Sequence, residues 1–544
     1  MPDSDVLVIG AGAAGSVLAA RLAASGLAVT LLEAGPAKRG LVNRVPALAF
    51  MASIDPATNW DFTTEPVPGL DDRPQRWSQG RMLGGSSGIN GMLWMRGGRA
   101  DYDAWQAAGC PGWGWDDVLQ VYRDIECSDR GGDPLHGADG PLRIRRARLD
   151  LPLTGRFLGA MRGADLPVVD DVNGDLAEGF GLFDVNIHGG ERHGVARAWL
   201  DPARRLPNLH ILTEATVTRL LVEEGRVTGA EVRRGGETLT LRAGGGVALC
   251  CGAIKTPQLL MLSGIGPAEV LRAHGIPVLL DCPGVGQNLH NHPAVALRYA
   301  LGEPLSAFRH LSPLRAMAAG LRYALGRGGP LGESYVAMGG LFRSDPGLAA
   351  SDLMAVVMPA LVRRAEVGAR LREIFEYRHG FAVSVSLARQ ASRGAVTLRS
   401  ADPLQAPRIA PGYFSDPADM RAMVAGLLRL RAALAASDLA PALTEIAPLA
   451  GAETRDALAD AVRAACGTFY HPGGTCRMGS DAAAPVDPQL RLRGIGGLRI
   501  ADASVVPLPM GATMHAPSIL VGERAARFMT ADLRAPQSTQ GRFP

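Results

Sequence analysis

The sequence predicts an α/β fold in which a parallel-sheet domain is joined to a second domain, built on an antiparallel sheet backed by helices. Three observations support this prediction: the length of 544 residues, a glycine turn between two apolar segments near the N-terminus, and alternating apolar positions between residues 300 and 465. The length exceeds the ~100 to 200 residues of one ordinary domain, so we expect two domains that share a large core. The 68 Gly and 38 Pro indicate many turns between short elements.

Composition and charge exclude several classes of protein. The 56 Lys and Arg are nearly balanced by 53 Asp and Glu, so a nucleic-acid partner is not indicated. The arginine run over residues 143–148 alternates with apolar residues and predicts a solvated strand edge. No segment approaches the ~20 apolar residues of a membrane span, so any membrane contact would be peripheral. Seven cysteines without paired spacing, and no leader before the first strand, predict reduced thiols in a cytoplasmic protein.

The first thirty-five residues predict a βαβ unit. An apolar strand over residues 5–10 is followed by a helix that ends near Ser25, with Gly26 as its stop signal. A second strand over residues 27–33 completes the unit. The small and apolar residues of the helix suit close packing against a parallel sheet.

The turn of this unit carries the pattern Gly-x-Gly-x-x-Gly. Gly10 permits the tight turn, Gly12 lets the backbone approach a pyrophosphate, and Gly15 lets the helix pack closely. The helix N-terminus adds a positive pole for phosphates. Glu33 ends the second strand, where its carboxylate can accept hydrogen bonds from a ribose diol. The sequence therefore predicts a Rossmann-like dinucleotide site, but this element does not decide between FAD and NAD.

The rest of the chain divides into three territories. We assign residues 1–300 mainly to the dinucleotide-binding domain, with loops 41–81 and 150–195 crossing to the substrate side. Residues 301–465 form the main part of the substrate domain, and residues 466–544 return to the first domain. Periodic strands are predicted at 208–213, 217–223, 227–233, 238–242 and 247–251 in the first territory. In the second we predict strands near 354–358, 381–387 and 395–399, and helices over 417–436 and 453–465.

One amphipathic segment, over residues 311–325, allows two interpretations. The segment combines Arg315 and Arg322 with the apolar residues Leu314, Met317, Leu321 and Leu325, which is compatible with a helix on a membrane surface. Most amphipathic helices cover a protein core, so we predict a packed surface helix.

Four longer motifs connect the chain to a known family. They are Gly80-Arg-Met-Leu-Gly-Gly-Ser-Ser-Gly-Ile-Asn90, the segment from Gly252 to Gly266, the segment from Tyr470 to Gly479, and the segment from Met514 to Glu523. In this order, behind the N-terminal glycines, they resemble the signatures of the glucose-methanol-choline (GMC) oxidoreductases. The resemblance extends from residue 5 to about residue 530 and is weakest over residues 301–380.

This resemblance implies FAD as the cofactor, bound by the Rossmann-like domain. The loop from Gly84 to Asn90 would pass the flavin or its phosphates, and Val217 would offer backbone contacts to the adenine. Asp502 would reach the ribityl and pyrophosphate groups, although a helix cap is a rival role for it. Some relatives attach FAD through a histidine where this chain has Ile89, so we predict a non-covalent flavin. The predicted cofactor residues are Gly10, Gly12, Ala13, Ala14, Gly15, Glu33, Ala34, Arg81, Leu83, Gly84, Gly85, Ser86, Asn90, Gly91, Met92, Leu93, Val217, Cys251, Gly252, Asp502, Ala503, His515, Ala516 and Pro517.

The resemblance also assigns the catalytic residues to His471 and His515. Hydride transfer from an alcohol carbon requires the hydroxyl proton to leave, and imidazole is the side chain whose pKa of ~6.5 suits a base near neutral pH. We assign His471 as the base and His515 as its partner, and the reverse assignment stays open. No metal site is predicted: His290 and His292 have only a loose ligand spacing, without a third ligand nearby. Asn291, between them, stands where relatives usually carry Asp.

The predicted activity is oxidation of a small-molecule alcohol, with electrons passed to a quinone, a carrier or oxygen. Two alternatives on the same scaffold stay open, a hydroxynitrile-type lyase and a fatty acid photodecarboxylase. An apolar or aromatic primary alcohol is favoured by the apolar residues of the second territory, although we expect most of these residues to form its core. They are Met338, Phe342, Met354, Met358, Leu361 and Phe375.

Overall fold

The computed structural model describes residues 4–37, 39–174, 178–310, 313–363, 369 and 371–534. The predictions that fall on residues 1–3, 311–312 and 535–544 lie outside these ranges. The helices of eight or more residues are α1 (Ala13–Ala24), α2 (Arg99–Ala107), α3 (Trp115–Ile125), α4 (Pro152–Gly163), α5 (Gly252–Leu262), α6 (Pro313–Gly326), α7 (Pro417–Ala435), α8 (Arg455–Ala465) and α9 (His515–Arg534). Shorter α-helices span Leu41–Arg44, Ala49–Ser53, Asp201–Ala203, Ala268–Ala273 and Leu371–Ile374.

Three larger sheets organise the chain. Their strands are β1 (Ser4–Ile9), β2 (Val29–Leu32), β3 (Leu93–Trp94), β4 (Glu126–Ser128), β5 (Leu142–Arg146), β6 (Gly179–Leu182), β7 (Asp184–Val185), β8 (Leu209–Leu212), β9 (Thr216–Glu223), β10 (Arg226–Arg234), β11 (Glu237–Leu249), β12 (Pro293–Leu301), β13 (Met338–Phe342), β14 (Leu353–Met358), β15 (Gly380–Leu387), β16 (Leu443–Ile446), β17 (Gly467–Thr468) and β18 (Leu498–Ile500). Two-stranded pairs join Phe62–Thr63 to Arg76–Trp77, Ile187–His188 to Glu191–Arg192, Ile265–Gly266 to Leu280–Asp281, and Ala395–Thr397 to Arg408–Ala410.

The first sheet confirms the predicted βαβ unit and the Rossmann-like fold. Its order is β8-β2-β1-β11-β10-β9, with β18 paired to β11, and the pairings of β1, β2, β8 and β18 are parallel. Every residue of β2 is buried, as expected of a parallel strand covered on both faces. Gly26 ends α1 with a φ of +96°, a left-handed conformation that favours glycine.

One strand of this sheet differs from its prediction. Residues 238–242 and 247–251 were predicted as separate strands, but β11 runs without a break through Gly246, whose φ is +139°. The first half of β11 pairs antiparallel with β10, and the second half pairs parallel with β1. A glycine-containing bend lets one strand serve both parts of the sheet.

The second sheet is antiparallel throughout, as predicted for the second domain. Its order is β16-β12-β15-β14-β13-β6, and β17 pairs with β12. Helix α7 packs behind it, with Asp416 capping its N-terminus. The strand β6 comes from residues 179–182 and β12 begins at Pro293. The division into domains at residues 300 and 465 stays a prediction.

The arginine run over residues 143–148 begins inside the third sheet. Strand β5 lies between β7 and β4 in the order β3-β7-β5-β4, so the predicted strand is present but the predicted edge position is wrong. Arg145 pairs with Glu333 at 2.7 Å, and Arg146 pairs with Asp170. These contacts hold the arginine side chains beside acids of neighbouring segments.

The structure contradicts the packed position predicted for the helix over residues 311–325. Helix α6 forms over residues 313–326, but Leu314, Met317, Leu321 and Leu325 are 77%, 68%, 64% and 81% exposed. The period of 3.6 residues places these four side chains on one face, which no other part of the described chain covers. The amphipathic pattern predicted the helix correctly, but the prediction that its apolar face packs against the protein is wrong.

In the described part of the chain no helix combines the length and the hydropathy that a membrane span requires.

Candidate active site

A cavity of about 730 Å³ separates the two main sheets. One wall contains the carboxyl ends of β1 and β2, with Gly10 and Glu33. The opposite wall contains side chains of β14. Ligands of open parallel sheets bind outside the carboxyl ends of the strands, so this is the expected place for a dinucleotide.

The three N-terminal glycines fit a dinucleotide. Gly10 has a φ of +99°, and a Cβ atom on Gly15 would lie 1.9 Å from the Gly10 carbonyl oxygen. A Cβ atom on Gly12 would come no closer than 3.9 Å to the described protein. Gly12 therefore leaves open a space that the protein itself does not need, as the close approach of a pyrophosphate requires.

Glu33 is buried at the end of β2 beside this turn. Its carboxylate accepts hydrogen bonds from the amides of Ala11 at 3.0 Å and Gly35 at 2.8 Å. Burial raises the pKa of Glu33 to about 7, against the lowering effect of these amides and of Arg81. The carboxylate lines the cavity with Ala34, where a hydroxyl group can reach it.

The loop over residues 80–93 forms the next part of the wall. Gly84 and Gly85 both adopt positive φ, at +93° and +52°, and a Cβ atom on Gly85 would lie 2.7 Å from the Cα of Gly12. The two glycine loops are therefore in contact. Ile89 is 4% exposed and lines the cavity with an alkyl side chain that offers no nucleophile for a covalent flavin bond.

Arg192 supports this loop and was not predicted. Its guanidinium donates to the Ser87 carbonyl at 3.1 Å, to Asn90 Oδ1 at 2.5 Å and to the Asn43 carbonyl at 3.0 Å. Burial lowers the pKa of Arg192 to about 9. Its only sequence signal was an arginine after a short polar turn, and such a signal does not distinguish a buried arginine from a surface one.

Asp502 has the capping role that was the rival prediction. Its carboxylate accepts from the Ser504 amide at 2.8 Å, the Gly252 amide at 2.9 Å and the Thr256 hydroxyl at 2.6 Å. Burial raises its pKa. Asp502 also lines the cavity, so its predicted contact with the cofactor stays compatible with the cap.

Most predicted cofactor residues lie on the cavity wall, and six do not. Gly15, Leu83 and Gly84 lie behind the residues of the wall. The guanidinium carbon of Arg81 lies 5.5 Å from the ring centre of Trp60. Ala516 and Pro517 lie in the first turn of α9. The wall also includes Lys255, which was not predicted. Its ammonium lies 4.9 Å from the Trp60 ring centre, and burial lowers its pKa to about 8.

The two predicted catalytic histidines both reach the cavity. His471 Nδ1 lies 3.1 Å from Nδ1 of His292, and the His471 amide donates to Asn291 Oδ1 at 2.8 Å. Burial, followed by the neighbouring His292 ring, lowers the pKa of His471 well below its usual value. Asn291, the departure from the family pattern, therefore still binds the backbone of the predicted base.

His515 begins α9 and is 8% exposed. Its Nε2 is buried without a hydrogen-bond partner in the described protein. The ring meets Trp94 edge-on, with centres 6.0 Å apart, and burial, followed by Arg192, lowers its pKa to about 4. A buried nitrogen without a partner beside a cavity is suited to a polar atom of a bound molecule.

His292 is the functional candidate that sequence reasoning missed. We considered it only as a loose metal ligand beside His290. The two rings have separate partners, because His290 Nε2 meets the Val506 carbonyl at 3.3 Å while His292 meets His471. The useful signal would have been a second histidine near the predicted base, but only the folded chain brings residues 292 and 471 together.

The apolar wall divides the predicted substrate residues into two groups. Met354 and Met358 on β14, and Phe375, line the cavity. Met338, Phe342 and Leu361 are at most 1% exposed and do not line it, so these three are core residues, as the alternative interpretation predicted. Alternation along a strand sends successive side chains to opposite faces, and a continuous apolar segment does not reveal which face is the cavity.

A separate cluster contains side chains that could bind a metal. Ligand atoms of His136, Asp171 and Asp184 lie within 4.8 Å of one another. His136 bridges Asp171 at 2.9 Å and Glu126 at 3.0 Å, and Arg130 lies 3.3 Å from Asp184. Burial opposes protonation of His136, but its hydrogen bonds with Asp171 and Glu126 outweigh burial and raise the pKa to about 9. The protonated His136 and Arg130 therefore balance these carboxylates.

Comparison with known proteins agrees with this geometry. Two family models, both described as GMC oxidoreductase, match residues 4–294 and 390–522. The chain belongs to the GMC oxidoreductase family. FAD is the cofactor of this family member, and the enzyme is an oxidoreductase.

Two relatives and one solved structure are proteins to which this GMC oxidoreductase is similar. An uncharacterised GMC-type oxidoreductase of Mycobacterium tuberculosis is 41% identical, over 96% of this chain and 98% of the relative. An oxygen-dependent choline dehydrogenase of Brucella suis is 36% identical, over 96% of this chain and 95% of the relative. The crystal structure of pyridoxine 4-oxidase from Mesorbium loti has a TM-score of 0.85 and 30% identity, over 96% of this chain and 99% of that one.

Proposed function

We propose that this GMC oxidoreductase oxidises an apolar or aromatic primary alcohol to the aldehyde. The observation that carries the proposal is the His471 ring, which reaches the cavity while its Nδ1 is held by His292. Bound FAD supplies the acceptor for a hydride. The side chains of this protein must therefore position the alcohol and remove its hydroxyl proton.

The hydrogen bonds of His292 indicate which nitrogen of His471 is the base. His292 also interacts with the Met510 carbonyl, and since its Nδ1 faces His471, its Nε2 is left for that contact. A carbonyl only accepts, so His292 Nε2 carries the hydrogen and Nδ1 is an acceptor. His471 then donates its Nδ1–H to His292, which leaves the Nε2 lone pair of His471 free for a proton.

Proton and hydride leave the alcohol along different routes. His471 Nε2 would take the hydroxyl proton, bound FAD would supply the acceptor for the carbon-bound hydride, and the carbon–oxygen bond would become the carbonyl of the aldehyde. The low pKa of His471 keeps its ring neutral near pH 7, which is the form that accepts a proton. His515, also neutral near pH 7, can hold the substrate oxygen through its unpaired Nε2.

The substrate side of the cavity supports an apolar alcohol. Met354, Val356 and Met358 present alkyl groups from β14, and Phe375 adds an aromatic ring. Burial of an apolar substituent against these side chains is favourable. We propose a quinone or carrier as the electron acceptor, with oxygen as the alternative.

The chemistry is tested by mixing the FAD-loaded enzyme without oxygen with a panel of aliphatic and aromatic alcohols. We expect one class to bleach the flavin, and the variant His471→Gln to bleach it about 10²- to 10⁴-fold more slowly. His274→Gln, at a histidine bonded to the Leu398 carbonyl outside the cavity, is the matched control. Colour that returns rapidly in air indicates an oxidase, whereas return only with a quinone indicates a dehydrogenase. Bound flavin that no alcohol bleaches would contradict the proposal and favour lyase or light-driven chemistry.

Two further features are proposed with this function. The flavin is held without a covalent bond, supported by the alkyl side chain of Ile89 in the loop, and acid precipitation should release it completely. We also propose a cytoplasmic location, supported by seven cysteines that are all unbridged.

A further inference from the structure

We propose that α6 is a lipid-docking helix, which binds the surface of an anionic phospholipid bilayer and holds the mouth of the cavity against it. The helix carries an apolar stripe, defined as Leu314, Met317, Leu321 and Leu325. These side chains are between 64% and 81% exposed, more than any other large hydrophobic residue of the described chain except Leu41. A continuous exposed stripe of this kind indicates a surface that another phase or molecule covers.

The two faces of α6 have different surroundings. Ala316 and Ala319, on the face opposite the stripe, line the cavity. Leu331 and Pro330, just after the helix, line it as well. The helix face that contains Ala316 and Ala319 therefore forms part of the cavity mouth, while the apolar stripe points away from the protein.

The charge around the stripe favours a lipid surface. Residues 304–332 contain no Asp or Glu, but they contain Arg309, Arg315 and Arg322, all exposed. Arg315 and Arg322 lie seven residues apart, on the same flank of the stripe. An apolar stripe flanked by arginines is the pattern of helices that lie in the interface of membranes with anionic headgroups.

A second copy of the chain fits this surface less well. Two antiparallel α6 helices packed stripe to stripe around a twofold axis would bring the flanking arginines of both copies together, and residues 304–332 supply no acid between them. The nearby Glu191 is already paired with Arg327 and Arg44, each at 2.5 Å. An anionic bilayer covers the stripe with acyl chains and supplies the opposite charge at the same time.

The turn over residues 307–310, which contacts α6, packs against an exposed aromatic residue. Tyr377 is 59% exposed, and its ring meets Phe308 edge-on with centres 6.4 Å apart. Tyrosine is enriched where protein meets the polar boundary of a bilayer, because its ring is apolar and its hydroxyl is polar.

Docking would also select the substrate. This step rests on the proposed alcohol oxidation: with the stripe in the bilayer, an alcohol dissolved among the acyl chains reaches the cavity past Ala316 and Ala319 without crossing bulk water. The substrate class is therefore a long-chain or otherwise membrane-soluble alcohol.

The docking is tested by sedimentation of the FAD-loaded enzyme with phosphatidylcholine vesicles, with or without phosphatidylglycerol. We expect binding only with phosphatidylglycerol, weakened by salt. The stripe variant Met317→Gln/Leu321→Gln and the flank variant Arg315→Gln/Arg322→Gln should each bind about tenfold less. The matched controls are Leu279→Gln/Leu404→Gln, at leucines 50% and 53% exposed, and Arg421→Gln/Arg455→Gln, at exposed arginines elsewhere. All these positions are exposed, so the flavin content should not change.

Several outcomes overturn the docking. They are an absence of vesicle binding, equal binding by the variants and the wild type, and a dimer in solution that the stripe variant converts to a monomer, which would identify a second copy as the partner. The substrate step has its own readout: the stripe variant should oxidise a vesicle-held long-chain alcohol more slowly and a water-soluble alcohol at the wild-type rate. Equal rates on both would overturn that step. If no alcohol is oxidised at all, the proposed function fails while the sedimentation result stands.

Discussion

At the scale of single residues, His292 lies behind His471 rather than on the cavity wall, and in the proposed function it orients the base. In the tautomer that we propose, His292 Nδ1 accepts a hydrogen bond from His471 Nδ1, 3.1 Å away, so the lone pair of the proposed base is directed away from His292. A side chain that orients another in this way acts on the reaction without touching the substrate, much as the partners of metal-bound histidines do.

We predict that His292→Gln lowers the rate of flavin reduction about tenfold to a hundredfold with little change in KM, because His471 loses the acceptor that selects its tautomer. Anaerobic stopped-flow absorbance measures the rate constant, and its pH profile should shift as well. His290→Gln is the matched control, since the neighbouring buried ring bonds the Val506 carbonyl and not His471. Equal losses in the two variants would mean that His292 has only a structural role.

At the scale of elements, two glycines of the first turn have different predicted roles: Gly15 permits the fold, and Gly12 leaves space for the cofactor. A Cβ on Gly15 would collide with the Gly10 carbonyl at 1.9 Å, whereas a Cβ on Gly12 has no described protein atom closer than 3.9 Å. We predict that Gly12→Ala folds with a normal Tm in the absence of FAD but loses most FAD binding. Gly15→Ala should instead lower the Tm of the FAD-free protein. Normal FAD affinity in Gly12→Ala, measured by flavin fluorescence, would contradict the assigned path of the pyrophosphate.

The second loop depends on Arg192 in a comparable way. Its guanidinium donates to Ser87 and Asn90, and a hydrogen bond from a charged donor contributes about 1.5 to 3 kcal/mol. We predict that Arg192→Met weakens FAD binding by roughly tenfold to a hundredfold, the factor that this energy corresponds to. The control is Arg197→Met, at a half-buried arginine paired with Glu191 at 3.2 Å. Unchanged FAD affinity in Arg192→Met would show that the loop holds its shape without this donor.

At the scale of the whole molecule, a buried ionic network makes stability depend on pH. His136 is 1% exposed and has a pKa of about 9 in the folded protein, against 6.5 for a free histidine. Its contribution to stability is therefore complete below pH 6.5 and is lost as the pH rises through 9. The buried pair of Arg96 and Glu126, 3.0 Å apart, belongs to the same network.

We predict that the free energy of unfolding decreases by up to about 3 kcal/mol between pH 6.5 and 9.5, and that His136→Gln removes most of this dependence. Urea unfolding at a series of pH values measures it. His188→Gln, at an exposed histidine, should keep the wild-type slope. A wild-type stability that is flat over this range would contradict a protonated His136.

Local pattern was sufficient for much of the fold. The βαβ unit, the helices near residues 417–436 and 453–465, and the strand over 381–387 all form close to their predicted bounds. These elements are specified by residues adjacent in sequence, through periodicity, capping and glycine turns. The family motifs added the cofactor and identified two histidines that reach the cavity.

Tertiary structure alone decided which surfaces meet. Met354 and Met338 were equivalent in the sequence, but the register of β14 and β13 places one on the cavity wall and the other in the core. His292 and Arg192 acquired their importance from partners that the sequence does not place beside them. For the apolar stripe of α6, the amphipathic pattern indicated that another surface covers these side chains but did not specify which surface. Periodicity reports which residues share a face, and only long-range packing determines what that face contacts.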